Sequence, residues 1–180
     1  MDFARVHNKI AEAHTFLGKM TKQDSLMLSQ GFQHYLSAFL TAGMSVRGGF
    51  QYRQDRKHNA AIKAWREKWE NALTSEEKHL YDFVHVNRVA EVHTTGAAVT
   101  VETEPVKVGV GGPYSDRSGR VEGFGSPSVL LALGINGAAV VHKTTHHFTI
   151  NGTKHKATEA CAAYLELLQR MVAQCEADHP

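Results

Sequence analysis

An arginine and a histidine five residues apart have the most specific chemistry in this sequence. Arg88 and His93 lie in the segment 87–93, directly before Thr94-Thr95-Gly96. A guanidinium stays charged and holds a phosphate through two parallel hydrogen bonds, and an imidazole gains or loses a proton near neutral pH. Together they can cleave RNA without a metal ion. The imidazole activates the ribose 2′-hydroxyl or protonates the 5′-leaving oxygen, while the guanidinium neutralises charge on phosphorus.

Glu91 is the third candidate, because a carboxylate three residues after Arg88 can pair with the guanidinium along a helix and orient it. A straight helix places Arg88 and His93 about 140° apart, since each residue turns by about 100°. The two side chains therefore do not share a face, and their convergence requires helix termination near His93, the length of the arginine side chain, or a second subunit across a two-fold axis. In the structural alternative, Arg88 pairs with Glu91 at the surface and His93 caps the helix C-terminus, where a cation suits the helix dipole.

The first two elements that must position this motif are predicted helices. Apolar residues recur every three or four positions in segments 3–20 and 28–46, and the second pattern ends at Gly48-Gly49. A polar break at 21–24 separates the two patterns. The sequence therefore predicts two amphipathic helices, each with one buried face.

Two more helices lead up to the motif. A basic connection at 53–58 precedes a third helix, whose Trp65 and Trp69 lie on one face and are interpreted as core or dimer interface. Thr74 and Glu77 have the spacing of a capping box, in which each side chain bonds the other residue's backbone N–H. This signal starts a fourth helix, which is predicted to end near His93.

After residue 96 the apolar period changes to two. Segments 99–103 and 106–110 alternate on either side of Pro105, which predicts a pair of short strands. Asn136-Gly137 and Asn151-Gly152 are strong hairpin signals. From Thr158 the helical period returns, with one apolar face carrying Cys161, Tyr164, Leu165, Leu168, Met171, Val172 and Cys175.

These patterns predict a mainly α fold with a small β element. The expected architecture is a four-helix up-and-down bundle at 1–96, a small antiparallel sheet at 97–157, and a C-terminal helix at 158–180 that packs on the same domain. A parallel sheet, or strands within the first 90 residues, would contradict it.

Composition narrows the class of protein. The 180 residues include 20 basic and 18 acidic side chains, a net charge of +2, which is not typical of proteins that coat nucleic acids. We find no apolar run near 18 residues and no N-terminal signal pattern, so we expect a cytoplasmic protein without a membrane partner. Cys161 and Cys175 would lie roughly 21 Å apart on one helix and cannot form a disulfide.

Three histidines were considered as a metal site, but their spacing does not suit a common metal ion. His142, His146 and His155 would share one sheet face if the Asn151-Gly152 turn has two residues. However, His142 and His146 would be about 13 Å apart along the strand. We therefore predict neither a metal nor a cofactor.

Residues 1–95 resemble the HEPN family. The helical pattern, the aromatic second helix at 35–40 and the Arg88-x4-His93 spacing carry the resemblance, since members share an Arg-x4-6-His motif. It implies an up-and-down bundle that dimerises and brings two copies of the motif into one cleft. On the matching positions, Arg88 is the phosphate or transition-state contact and His93 the proton-transfer group. Active members commonly carry a polar residue after the arginine, where this chain has Val89.

The sequence supports two functions. The resemblance implies a homodimeric RNA-binding or nucleotide-binding protein, or a metal-independent endoribonuclease, of the kind found among toxins and defence effectors. The alternative is a non-catalytic dimeric helical module that binds a protein partner. Salt-sensitive RNA binding would distinguish them, because phosphate contacts weaken as counterions compete.

Overall fold

The computed structural model describes residues 3–26, 29–49, 56–93, 99–109 and 138–179. These residues form helices and a three-stranded antiparallel sheet with strand order β1-β2-β3. The helices are α1 Phe3–Leu26, α2 Ser29–Gly49, α3 Arg56–Asn71, α4 Ser75–His93 and α5 Ala157–Asp178. The strands are β1 Thr100–Gly109, β2 Ala138–Ile150 and β3 Thr153–Lys156. The predicted fold class, mainly helical with a small antiparallel sheet, is confirmed.

α1 is longer than the sequence predicts. The expected polar break at 21–24 is wrong, because the helix continues through it to Leu26. Thr21 donates its hydroxyl hydrogen to the carbonyl oxygen of Leu17 at 3.0 Å, which satisfies this polar side chain within the helix. Asp24 is only 6% exposed and contacts His146 of β2. A tertiary contact therefore stabilises a helical end whose local sequence suggests a break.

α3 begins within the basic segment that was expected to be a connection. The helix starts at Arg56, whereas residues 53–55 lie outside the described residues. Ile62 and Trp69 are buried at 2% and 6% exposure, so they join α3 to the core. The core interpretation of Trp69 is confirmed.

β1 differs from the expected pair of short strands. It is a single strand that runs through Pro105, pairing with β2 from Thr100 opposite His147 to Gly109 opposite Ala138. β1 lies at one edge of the described sheet. Every second N–H of an edge strand points away from its partner, so a residue that lacks this hydrogen can be accommodated there.

The Asn151-Gly152 hairpin is confirmed. Both residues have a positive φ, 49° and 76°, and Ile150 pairs with Thr153, as a two-residue turn of type I′ requires. The other predicted hairpin signal, Asn136-Gly137, lies outside the described residues.

α5 lies at the centre of the packing. All seven apolar residues predicted for its inner face are buried, and the helix contacts α1, α2, α4 and the sheet. Gly43 allows α2 to approach closely, because a Cβ there would lie 2.8 Å from Cε1 of Tyr164. Cys161 and Cys175 are free and buried. Burial raises the pKa of both thiols, that of Cys175 to about 11, so both act as apolar core groups.

The capping box at the start of α4 is confirmed. The backbone N–H of Thr74 donates to Oε2 of Glu77 at 2.9 Å, and the N–H of Glu77 donates to the Thr74 hydroxyl at 3.3 Å. Arg170 of α5 also donates to Glu77, at 2.6 Å. The Thr74 N–H and then the Arg170 contact lower the pKa of Glu77. The carboxylate therefore stabilises the fold above the usual glutamate pKa, and this contribution is lost as the pH falls through the lowered value.

Thr74→Ala is expected to lower the free energy of unfolding by about 1 kcal/mol, because the N–H of Glu77 loses its acceptor. Chemical denaturation monitored by circular dichroism measures the change. Ser75→Ala is the matched control, since this neighbouring hydroxyl is exposed and its loss should change stability by less than about 0.5 kcal/mol. Equal losses in the two variants would contradict the capping role.

Candidate functional site

The last turns of α4 carry the predicted motif. Arg88 is half-buried and follows Asn87, which is 4% exposed and donates from Nδ2 to the carbonyl oxygen of Phe83 at 3.0 Å. Tyr81 and Val84, seven and four residues before Arg88, are each 1% exposed. Residues at these spacings share one helix face. Arg88 therefore lies on the face of α4 that packs against the rest of the protein.

Glu91 and His93 belong to the α4 backbone, but their side chains lie outside the described residues. The helix includes His93, so it does not end between the two motif positions. On a continuous helix, Arg88 and His93 are separated by about 140° around the axis and about 7.5 Å along it. The pairing of Arg88 with Glu91 and the capping role of His93 likewise fall outside the described residues.

A buried carboxylate and imidazole meet between α1 and β2. Nδ1 of His146 lies 3.0 Å from Oδ1 of Asp24, and the two residues are 1% and 6% exposed. An ionised carboxylate only accepts hydrogen bonds, so the ring nitrogen donates. The imidazole stacks on Phe32, with ring centroids 3.7 Å apart and planes 5° from parallel. Nζ of Lys156 lies 3.6 Å from Oδ2 of Asp24.

This pair is placed to hold the sheet on α1 and not to meet a substrate. The imidazole of His146 is almost fully buried, and its Nε2 has no hydrogen-bond partner among the described residues. His155 of β3 is exposed and lies opposite Phe148 of β2. The side chain of His142 lies outside the described residues. Within the described ranges, no three His, Cys, Asp or Glu side chains are grouped closely enough to hold a metal ion.

A second polar cluster, which we call the Glu70 cluster, joins three helices. It consists of Arg47 of α2, Arg66 and Glu70 of α3, and Tyr81 of α4. All three partners lie around Oε1 of Glu70: Arg47 Nη2 at 3.2 Å, Arg66 Nε at 3.4 Å and the Tyr81 hydroxyl at 3.1 Å. The Arg47 guanidinium also lies over the Tyr81 ring, 4.4 Å from its centroid.

Neither of these two polar groups was predicted from the sequence. Arg66 and Glu70 are four residues apart, a spacing that predicts an ion pair along a helix, so this one contact is readable from the sequence. No local signal brings Arg47 or Tyr81 to that pair, because each belongs to another helix. Asp24 and His146 are 122 residues apart in sequence, and nothing in either neighbourhood indicates the contact.

A groove of about 400 Å³ lies away from the motif. Its lining includes Trp65, Trp69, Arg170 and Glu77. Glu77 and Arg88 are 11 residues apart, or about 16 Å along α4. Nε1 of Trp65 donates to Oδ2 of Asp178 at 2.7 Å, which ties α3 to the end of α5.

No helix in the described part of the chain is long and apolar enough to cross a membrane. Comparison with protein-family models, with characterised proteins and with solved structures gives no match.

Proposed function

We propose that this protein binds RNA and cleaves it without a metal ion, at a site built on the last two turns of α4. Arg88 contacts the phosphate, Glu91 orients the guanidinium, and His93 transfers the proton. The main support is the continuity of α4, which runs from the capping box to His93 and carries all three residues on one element. Buried Tyr81 and the neighbouring core residues anchor the preceding turns. The resemblance to the HEPN family, with its toxins and defence effectors, points to the same activity.

The proposed active unit is a homodimer. Arg88 and His93 of one chain diverge by about 140° on a continuous helix. A two-fold axis near the end of α4 would bring Arg88 of one copy towards His93 of the other and create two equivalent composite sites.

The proposed reaction is a transfer of the phosphoryl group within the RNA strand. His93 takes the proton of the ribose 2′-hydroxyl, and the 2′-oxygen forms a new bond to phosphorus as the bond to the 5′-oxygen breaks. The leaving oxygen takes a proton from water or from the second copy of the motif. Arg88 neutralises the charge that develops on the phosphoryl oxygens, and the product is a 2′,3′-cyclic phosphate.

Mixing two inactive variants tests the composite site. Arg88→Ala and His93→Ala are each expected to be inactive, but a mixed dimer regains one site with both wild-type side chains. Random exchange of subunits makes about half of the dimers mixed, so the mixture should recover about one quarter of wild-type cleavage. The measurement is cleavage of a fluorescent RNA after subunit exchange.

The double variant Arg88→Ala/His93→Ala, mixed with Arg88→Ala, is the control and should stay inactive, because none of the resulting dimers contains a complete site. A mixture of the single variants without activity would contradict the composite site. Light scattering that shows only a 20 kDa species at micromolar concentration would do the same.

A further inference from the structure

The Glu70 cluster carries one more positive than negative charge. Arg47 and Arg66 contribute two positive charges and Glu70 contributes one negative charge. Burial raises the pKa of Tyr81, so the phenol stays protonated and adds no negative charge. The described residues place no second carboxylate within 4 Å of either guanidinium. The excess charge is largely removed from water, since the side chains of Arg47, Arg66 and Glu70 are only 16%, 13% and 18% exposed.

Two hydrogen-bond donors of the cluster are also unused. Nη1 of Arg47 and Nε of Arg66 are buried, and neither has a hydrogen-bond partner among the described residues. Arg66 Nε is near Glu70, but at 3.4 Å it forms an ion pair without hydrogen-bond geometry. Buried donors are normally satisfied, and a buried charge without a partner is costly. The ring of Tyr81 offsets only part of this cost through its contact with Arg47.

We infer that the Glu70 cluster is a binding site for a phosphate group, held between Arg47 and Arg66. A phosphate supplies the missing negative charge, and its oxygens match the planar, two-pronged geometry of guanidinium groups. Each of the three charged side chains keeps a small exposed fraction, so solvent reaches part of each of them.

The position of the cluster suggests which phosphate it holds. Tyr81 and Arg88 are seven residues apart on α4, which places them about 10.5 Å apart along the axis and within about 20° around it. Tyr81, Val84 and Asn87 are buried on this face, so an RNA strand bound at Arg88 would have to follow its solvent-exposed edge to bring a second phosphate to the Glu70 cluster. This assignment to RNA rests on the proposed function, whereas the phosphate site itself does not.

Thermal unfolding of the full chain in inorganic phosphate tests the site. The Tm of the wild-type protein should rise saturably with phosphate concentration, to several degrees above its Tm in chloride at equal ionic strength. A ligand that binds only the folded state stabilises that state. Phosphate also stabilises proteins by exclusion from their surfaces, an effect that every variant shares. The specific response is therefore the difference between wild type and a variant of the cluster.

Arg66→Met is that variant, because methionine keeps the apolar stem and leaves Arg47 and Glu70 in a one-to-one pair. It should lose the saturable response and melt no lower than wild type in chloride. Lys63→Met is the matched control: it removes the same charge from the same helix, where Lys63 is 69% exposed and paired with Glu67, and should keep the full response. Arg66→Lys should keep a weakened response, since an ammonium retains the charge without the planar geometry.

RNA binding separates the two sources of phosphate. In a His93→Ala background, which leaves the RNA uncleaved, Arg66→Met should reduce the slope of log affinity against log salt by about 0.7 for a single strand. An unchanged slope with an intact phosphate response would assign the site to free phosphate, and absence of RNA binding would contradict only the proposed function. The same rise in Tm for wild type and Arg66→Met would overturn the phosphate site.

Discussion

Asp24→Ala is expected to lower the free energy of unfolding by about 1–3 kcal/mol, the usual cost of leaving a buried hydrogen-bonding group without its partner. The substitution leaves Nδ1 of His146 without an acceptor, and Nε2 of the same ring already lacks a hydrogen-bond partner among the described residues. Because the imidazole is stacked on Phe32 and is 1% exposed, water cannot easily replace the carboxylate. The contact between α1 and β2 should weaken as a result.

Equilibrium denaturation measures this loss, and Glu12→Ala provides a matched control on the same helix. Glu12 pairs with Lys9 at 2.7 Å, but its side chain is 46% exposed, so the pair should contribute at most about 1 kcal/mol. Asp24→Asn should be less harmful than Asp24→Ala, because the amide oxygen still accepts the hydrogen from His146. Similar small losses for Asp24→Ala and Glu12→Ala would show that the buried contact does not hold the sheet.

His93→Ala is expected to reduce RNA cleavage by about 10²–10⁴-fold, the usual contribution of a group that transfers a proton in the transition state. Folding stability should change little, because an imidazole near a helix C-terminus contributes only about 0.3–1 kcal/mol through the dipole.

Arg88→Ala should lose both cleavage and RNA binding. Arg88→Lys should restore binding better than rate, since it keeps the charge but not the two-pronged geometry.

His79→Ala is the control for this series, because His79 is an exposed histidine on the same helix and lies outside the motif. A chelator should leave the rate of cleavage unchanged if the reaction needs no metal. A parent protein that cleaves no RNA between about pH 5 and 8, the range in which histidine titrates, would contradict the proposal. Loss of stability in both alanine variants, without any cleavage by the parent, would favour the structural alternative.

The elements of this fold are largely readable from the sequence, because their signals are local. The three-to-four spacing of apolar residues marked the helices, including the inner face of α5, since that period follows from helix geometry alone. Thr74 and Glu77 formed the expected capping box, and Asn151-Gly152 formed the expected turn, because each motif is completed within four residues. The fold class followed from the change of period after residue 96.

Tertiary structure decided where local signals were weak or misleading. α1 continues through a polar segment because Asp24 forms a hydrogen bond with His146 of β2. β1 continues through Pro105 because it lies at an edge of the described sheet. The Glu70 cluster combines side chains from three helices, and its excess charge exists only once they pack together. The periodicity of α4 places Arg88 relative to Tyr81, but only the packing of that helix decides which of its faces is buried. Local spacing determines helices, caps and turns, whereas desolvation and pairing between distant residues arise only from packing.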